Sequence, residues 1–91
     1  MSKYLENEDV KKLFEVILKL ETLEECDDFF TDLFTTKELL AFAQRLKSAD
    51  LLLKNYTYEE VIKNVNISSA TLSRVSKCVQ EGTGYQKMLK K

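Results

Sequence analysis

The sequence predicts an all-α fold, and three features carry that prediction. Apolar residues recur at helical spacing through most of the chain. Three Thr-x-x-Glu segments mark helix starts. The 91 residues include no Pro and only two Gly, and no low-complexity stretch or linker interrupts them. That length allows one domain, spanning 1–91.

The elements follow in order. Val10, Leu13, Phe14, Ile17 and Leu18 obey the i, i+3, i+4, i+7, i+8 rule, which predicts a helix near 4–20. Thr22 opens a capping box with Glu25, and the helix near 23–34 places Leu23, Cys26, Phe30 and Leu33 on one face. A second box, Thr35-Thr36-Lys37-Glu38, starts a long helix to about Lys54, roughly 27 Å at 1.5 Å per residue. Its Leu39, Leu40, Phe42, Ala43, Leu46, Ala49, Leu51, Leu52 and Leu53 spread around much of the circumference. A helix apolar on several sides must be covered on several sides. A short chain has little to cover it with, so a homodimer is expected, with the helices over 4–54 forming the dimerisation region. A compact monomer with this helix at its centre is the alternative. A third box, Thr57-Tyr58-Glu59-Glu60, starts a helix ending near Asn64. Ser68 is a fitting N-cap for a helix from 69 to about 80, Gly82 and Gly84 supply its stop, and Tyr85, Met88 and Leu89 suit a last short helix.

Composition narrows the chemistry. With no His, the commonest general base and metal ligand is missing, and two glycines cannot build a phosphate-cradling loop. No enzyme activity, catalytic residue, metal or resident cofactor is expected. Cys26 and Cys78 stand 52 positions apart with no CxxC motif, no signal peptide precedes them, and no apolar run is long enough to span a membrane. A cytoplasmic protein with two reduced thiols is the expectation.

The net charge of −1 hides a polarity: residues 1–36 carry four Lys against ten Asp and Glu, a net of −6, whereas 37–91 carry ten Lys and Arg against five acids, a net of +5. A basic half suits a polyanion, although a solvated surface without a partner gives the same count.

The two helices over about 58–80 are joined by four residues, Val65-Asn66-Ile67-Ser68, as in a helix-turn-helix. Val61, Val65, Ile67, Leu72 and Val75 supply apolar residues where two steeply crossed helices touch, though a chance helical hairpin would need the same. Asn66 is the residue expected to accept positive φ in the turn. With Leu72, Val75 and Val79 turned inward, the outer face of the second helix is Ser69, Ala70, Ser73, Arg74 and Lys77, with Thr71 at its edge. Short polar side chains let a helix sink close to base edges in a major groove, and the cations suit phosphates. Helix capping explains Ser68, but not a whole face of short side chains. Glu59 and Glu60, at a helix start that would approach phosphates, oppose DNA binding.

From Leu33 to Cys78 these residues resemble the Trp repressor family, and the whole chain resembles its YerC/YecD-like branch. Ser69-Ala70-Thr71-Leu72-Ser73-Arg74 is similar to that family's recognition helix (I-A-T-I-T-R), and Leu33-Phe34-Thr35, Glu38 and Gln44-Arg45 match the helix that precedes its reading head. The resemblance implies six helices per subunit, intertwined with a second subunit, and two reading heads on a palindromic operator. It also implies a small-molecule co-repressor site, with Thr35, Arg45 and Arg74 on the positions of its threonine and two arginines. Val75 stands where the family pattern has glycine and Cys78 where it has serine. Both departures argue against tryptophan and leave room for another carboxylate-bearing ligand.

The expected function is therefore a sequence-specific DNA-binding transcriptional regulator, a repressor acting as a homodimer on double-stranded DNA. Ser69, Ala70, Thr71 and Ser73 would read bases, and Lys63, Arg74 and Lys77 would hold phosphates. The alternative is a non-enzymatic protein-interaction module that uses the acidic N-terminal helices.

Overall fold

The computed structural model describes residues 3–90, so Lys91 of the basic tail lies outside the described residues. Among these there are six α-helices, one 3₁₀ turn and no strand. The chain divides into two compact units, Met1–Thr35 and Thr36–Lys91.

The first unit holds a 3₁₀ turn, Lys3–Glu6, then α1, Glu8–Ile17, and α2, Leu23–Leu33. The single helix expected over 4–20 is thus interrupted at Asn7. Its backbone is extended (φ −89°, ψ 117°), and its side-chain oxygen accepts from the Asp9 and Val10 N–H groups at 2.9 and 3.1 Å. An amide that satisfies two orphan donors of a helix start outcompetes continuation of the helix through it. The box at α2 forms as expected: Thr22 accepts from the Glu25 N–H, while the Glu25 carboxylate accepts from the Thr22 N–H. Phe29, Phe30 and Phe34 form a tilted aromatic run with centroids 5.6 and 5.5 Å apart. No described residue of this unit is fully buried, and Leu18 and Leu23 are 83% and 89% exposed.

The second unit is built on α3, Thr36–Leu53, with α4, Tyr58–Asn64, α5, Ser69–Glu81, and α6, Gly84–Leu89. Here the core closes. Leu51, Val61, Val65 and Leu72 form one buried cluster, with Leu52 and Ile67 packed on it. Ala49, Val75 and Val79 form another, supported by Leu52, Leu53, Ile67, Tyr85 and Leu89. All five residues expected at the α4–α5 corner lie in these clusters. Fully burying a side chain such as Leu72 contributes about 2 kcal/mol. Buried Ser48 satisfies its hydroxyl by donating to the Gln44 carbonyl, 2.8 Å away.

Two turns depart from expectation. Asn66 does not adopt positive φ; the one described non-glycine residue that does is Asn55, at φ 69°. Asn55 ends α3 in a Schellman arrangement, with the Tyr56 N–H donating to the Leu51 carbonyl and the Asn55 N–H to that of Leu52. Between α4 and α5 the chain instead reverses through extended residues, Val65 (φ −131°, ψ 135°) and Ser68 (φ −75°, ψ 156°). A bond from the Ile67 N–H to the Val65 carbonyl at 2.9 Å closes a three-residue turn around Asn66. Gly82 ends α5 without positive φ as well. It is needed for close approach, because a Cβ there would sit 2.7 Å from the Cys78 carbonyl oxygen.

Asn55→Ala should therefore destabilise the protein by about 1 kcal/mol, the left-handed cost for a residue with a Cβ. Asn55→Gly should leave its stability equal or slightly higher. Urea unfolding of the three proteins checks the order.

Candidate nucleic-acid interface

The α4–α5 pair owes its shape to two helix caps and one shared core. At α4, Thr57 accepts from the Glu60 N–H at 3.2 Å while the Glu60 carboxylate accepts from the Thr57 N–H at 2.9 Å. Those bonds hold the Glu60 carboxyl below the ordinary glutamate range, chiefly through the Thr57 backbone N–H and then its side chain. At α5, the Ser68 hydroxyl oxygen accepts from the Thr71 N–H at 3.2 Å and the hydroxyl donates to Thr71 Oγ1 at 2.9 Å. The start of α5 is thus set by a short serine–threonine pair.

Val61 of α4, Val65 at its C-cap, and Leu72, Val75, Ser76 and Val79 of α5 are buried. This fixes which side of α5 faces out. Ser69, Ala70, Ser73, Arg74 and Lys77 are all exposed, and Thr71 is half-buried at the edge of that face. Lys63 is exposed in the last turn of α4. Among the described residues, Lys63, Arg74 and Lys77 form no salt bridge, whereas Lys54 pairs with Asp50 at 3.0 Å. The face is therefore hydroxyl-rich near the N-terminus of α5 and cationic one turn later.

The residues expected to hold an effector fall in both units. Thr35 is exposed in the first unit, while Arg45 and Arg74 are exposed in the second. Arg45 lies over the Phe42 ring, 5.5 Å from its centroid. Arg74 lines a groove of about 360 Å³ with Lys77, Cys78, Glu81 and Gly82. Val75 is only 3% exposed and packs with Ala49 and Val79. Its side chain lies in the core, outside the lining of that groove. Residue spacing does not single out Glu81, which lines the groove from the last turn of α5 beside the expected stop at Gly82. Nor does it single out Gln86, although that side-chain amide donates to the Val79 carbonyl at 2.6 Å and ties α6 to the last turns of α5.

A family described as Trp repressor protein matches residues 8–91. The chain belongs to the Trp repressor family. It is 39% identical over 84 residues to the uncharacterized protein YerC of Bacillus subtilis, covering 92% of this chain and 81% of that one. The fold is similar to a TrpR-like protein from Eubacterium eligens, with a TM-score of 0.91, 34% identity and coverage of 98% and 93% of the two chains. A candidate Trp repressor from Staphylococcus aureus gives a TM-score of 0.86 at 38% identity, covering 90% of this chain and 83% of that one.

Within this Trp repressor family chain no described helix is long and apolar enough to cross a membrane, and Cys26 and Cys78 are both free thiols. The α4 cap carries a pH signature. Because folding lowers the Glu60 pKa, its contribution is complete above the unfolded value and is lost as pH falls through the folded value. Glu60→Gln should therefore melt below wild type at pH 7, and the gap should close as pH falls below about 4. Thermal melts at several pH values measure it.

Proposed function

We propose that this protein is a sequence-specific DNA-binding transcriptional regulator, a repressor, that inserts α5 into the major groove as a homodimer. The observation that carries this is the outward face of α5, where Ser69, Ala70 and Ser73 precede Arg74 and Lys77 and all five are exposed. Hydroxyls and a methyl can approach base edges without steric hindrance, and the cations one turn later can meet the phosphate backbone. Thr71 has one lone pair occupied by Ser68, which leaves its hydroxyl hydrogen available to a base acceptor. Membership of the Trp repressor family supports the same function.

Dimerisation is supported by apolar surface that a single chain leaves uncovered. Leu40 and Leu46 of α3 are 56% and 49% exposed, and the first unit has no fully buried described residue. In a two-fold dimer the α5 helices would meet half-sites about one helical turn, roughly 34 Å, apart on a palindromic operator. A carboxylate-bearing effector on Arg45 and Arg74 fits this reading better than tryptophan, because Cys78 offers a thiol where the family pattern has a hydroxyl. The acidic first unit, with the −6 of residues 1–36, favours an alternative: a protein-interaction module indifferent to DNA.

Selection of bound sequences from a random duplex pool, followed by salt titration, separates the two. Lys77→Ala should weaken binding to all duplexes alike and reduce the log–log salt slope by about 0.9 for each phosphate the protein no longer neutralises. Ser73→Ala should instead change the preferred sequence while leaving the slope in place. Failure of the pool to enrich, with no retention on heparin, would favour the interaction module.

A further inference from the structure

The first turn of α4 carries two carboxylates, and they are not equivalent. Glu60 is committed to the cap, held by the Thr57 N–H at 2.9 Å. Glu59 is exposed and takes no part in that box. It lies four residues before Lys63, which is also exposed, so the two share one face of α4 about one turn apart. An orientation that lays this face of α4 along the backbone, with Lys63 on a phosphate, also brings Glu59 within about 6 Å of the same stretch.

On the proposed DNA-binding role, we propose that Glu59 is an electrostatic brake that lowers affinity for every duplex without contributing to base choice. A carboxylate next to phosphate is repelled whatever the sequence, and two unit charges about 6 Å apart in water-like surroundings change an equilibrium roughly threefold, more where water is partly excluded. A uniform penalty leaves the difference between affinities unchanged, but at a protein concentration that saturates the cognate site it lowers occupancy of non-cognate sites, where contacts by Ser69, Thr71 and Ser73 do not offset it. The brake also counteracts the attraction of the basic second unit, whose net charge is +5 over 37–91. Glu59 suits this role because its removal leaves the Thr57–Glu60 box intact.

The experiment compares wild type and Glu59→Gln on a selected duplex and on a random-sequence duplex of equal length across a salt series, with thermal melts to confirm folding. Glu59→Gln should tighten binding to both duplexes by about three- to tenfold per subunit at low salt. The increase should shrink towards unity as salt screens the repulsion. Equal affinities for the two proteins at low salt would overturn the proposal. So would weaker binding of Glu59→Gln to the selected duplex alone, which would make Glu59 an acceptor for a cytosine amino group. If neither protein binds any duplex, the DNA-binding role itself fails and the brake with it. Binding by Glu59→Gln alone would support both.

Discussion

The packing of α5 against α3 is the constraint on which the rest of this structure depends. Ala49 is fully buried, and Val75 and Val79 close on it from α5. A second cluster, with Leu72 against Leu51, Val61 and Val65, holds the other end of α5 and its junction with α4. Successive residues of a helix are offset by about 100°, so burying positions 72, 75, 76 and 79 turns 70, 73, 74 and 77 outward, while Ser69, on the side of Ser76, is exposed at the first residue of α5. The candidate interface is thus a consequence of the core. Gln86 strengthens the arrangement from the far side by bonding the Val79 carbonyl.

The two units meet the demands of burial differently. The second assembles its core from four helices yet leaves Leu40, Phe42 and Leu46 of α3, Ile62 of α4 and Met88 of α6 exposed. The first consists of amphipathic helices whose apolar residues are at most half-buried. Such helices gain little from propensity alone and owe their stability to whatever covers the apolar stripe. Their strong negative charge and the positive charge of the second unit also divide the molecule electrostatically. On the proposed role, the cations at 63, 74 and 77 would hold phosphates, and the carboxylate of Glu59 would act against them. A DNA-binding surface of mixed sign gives up affinity, and what it keeps depends more heavily on specific contacts.

Much of this was legible in the sequence because the governing interactions are local. Thr22 with Glu25, Thr57 with Glu60, and Ser68 before Thr71 are caps written within four residues, and each forms. Val61, Val65, Ile67, Leu72 and Val75 were legible as a corner because crossed helices demand apolar residues at such spacings. What escaped was a choice between residues of similar capacity. Asn7, Asn55 and Asn66 can each cap, turn or adopt positive φ. Only the surrounding hydrogen bonds decide that Asn7 starts a helix, Asn55 ends one, and Asn66 sits in a tight reversal without the left-handed backbone. The groove beside Arg74 was illegible for a related reason. It depends on where α5 stops and on Gly82 lying against the Cys78 carbonyl, an approach that residue spacing does not encode.

The outward side of α5, oriented by the α3 core, is the surface proposed to meet duplex DNA. Backbone amide resonances followed through titration with a duplex enriched from a random pool test this most directly. The largest perturbations should fall between Ser69 and Lys77, with smaller ones near Lys63, while Ala49, Leu72 and Val79 stay nearly unmoved. Perturbations concentrated in α1 and α2, with Ser69 through Lys77 unchanged at saturation, would contradict it.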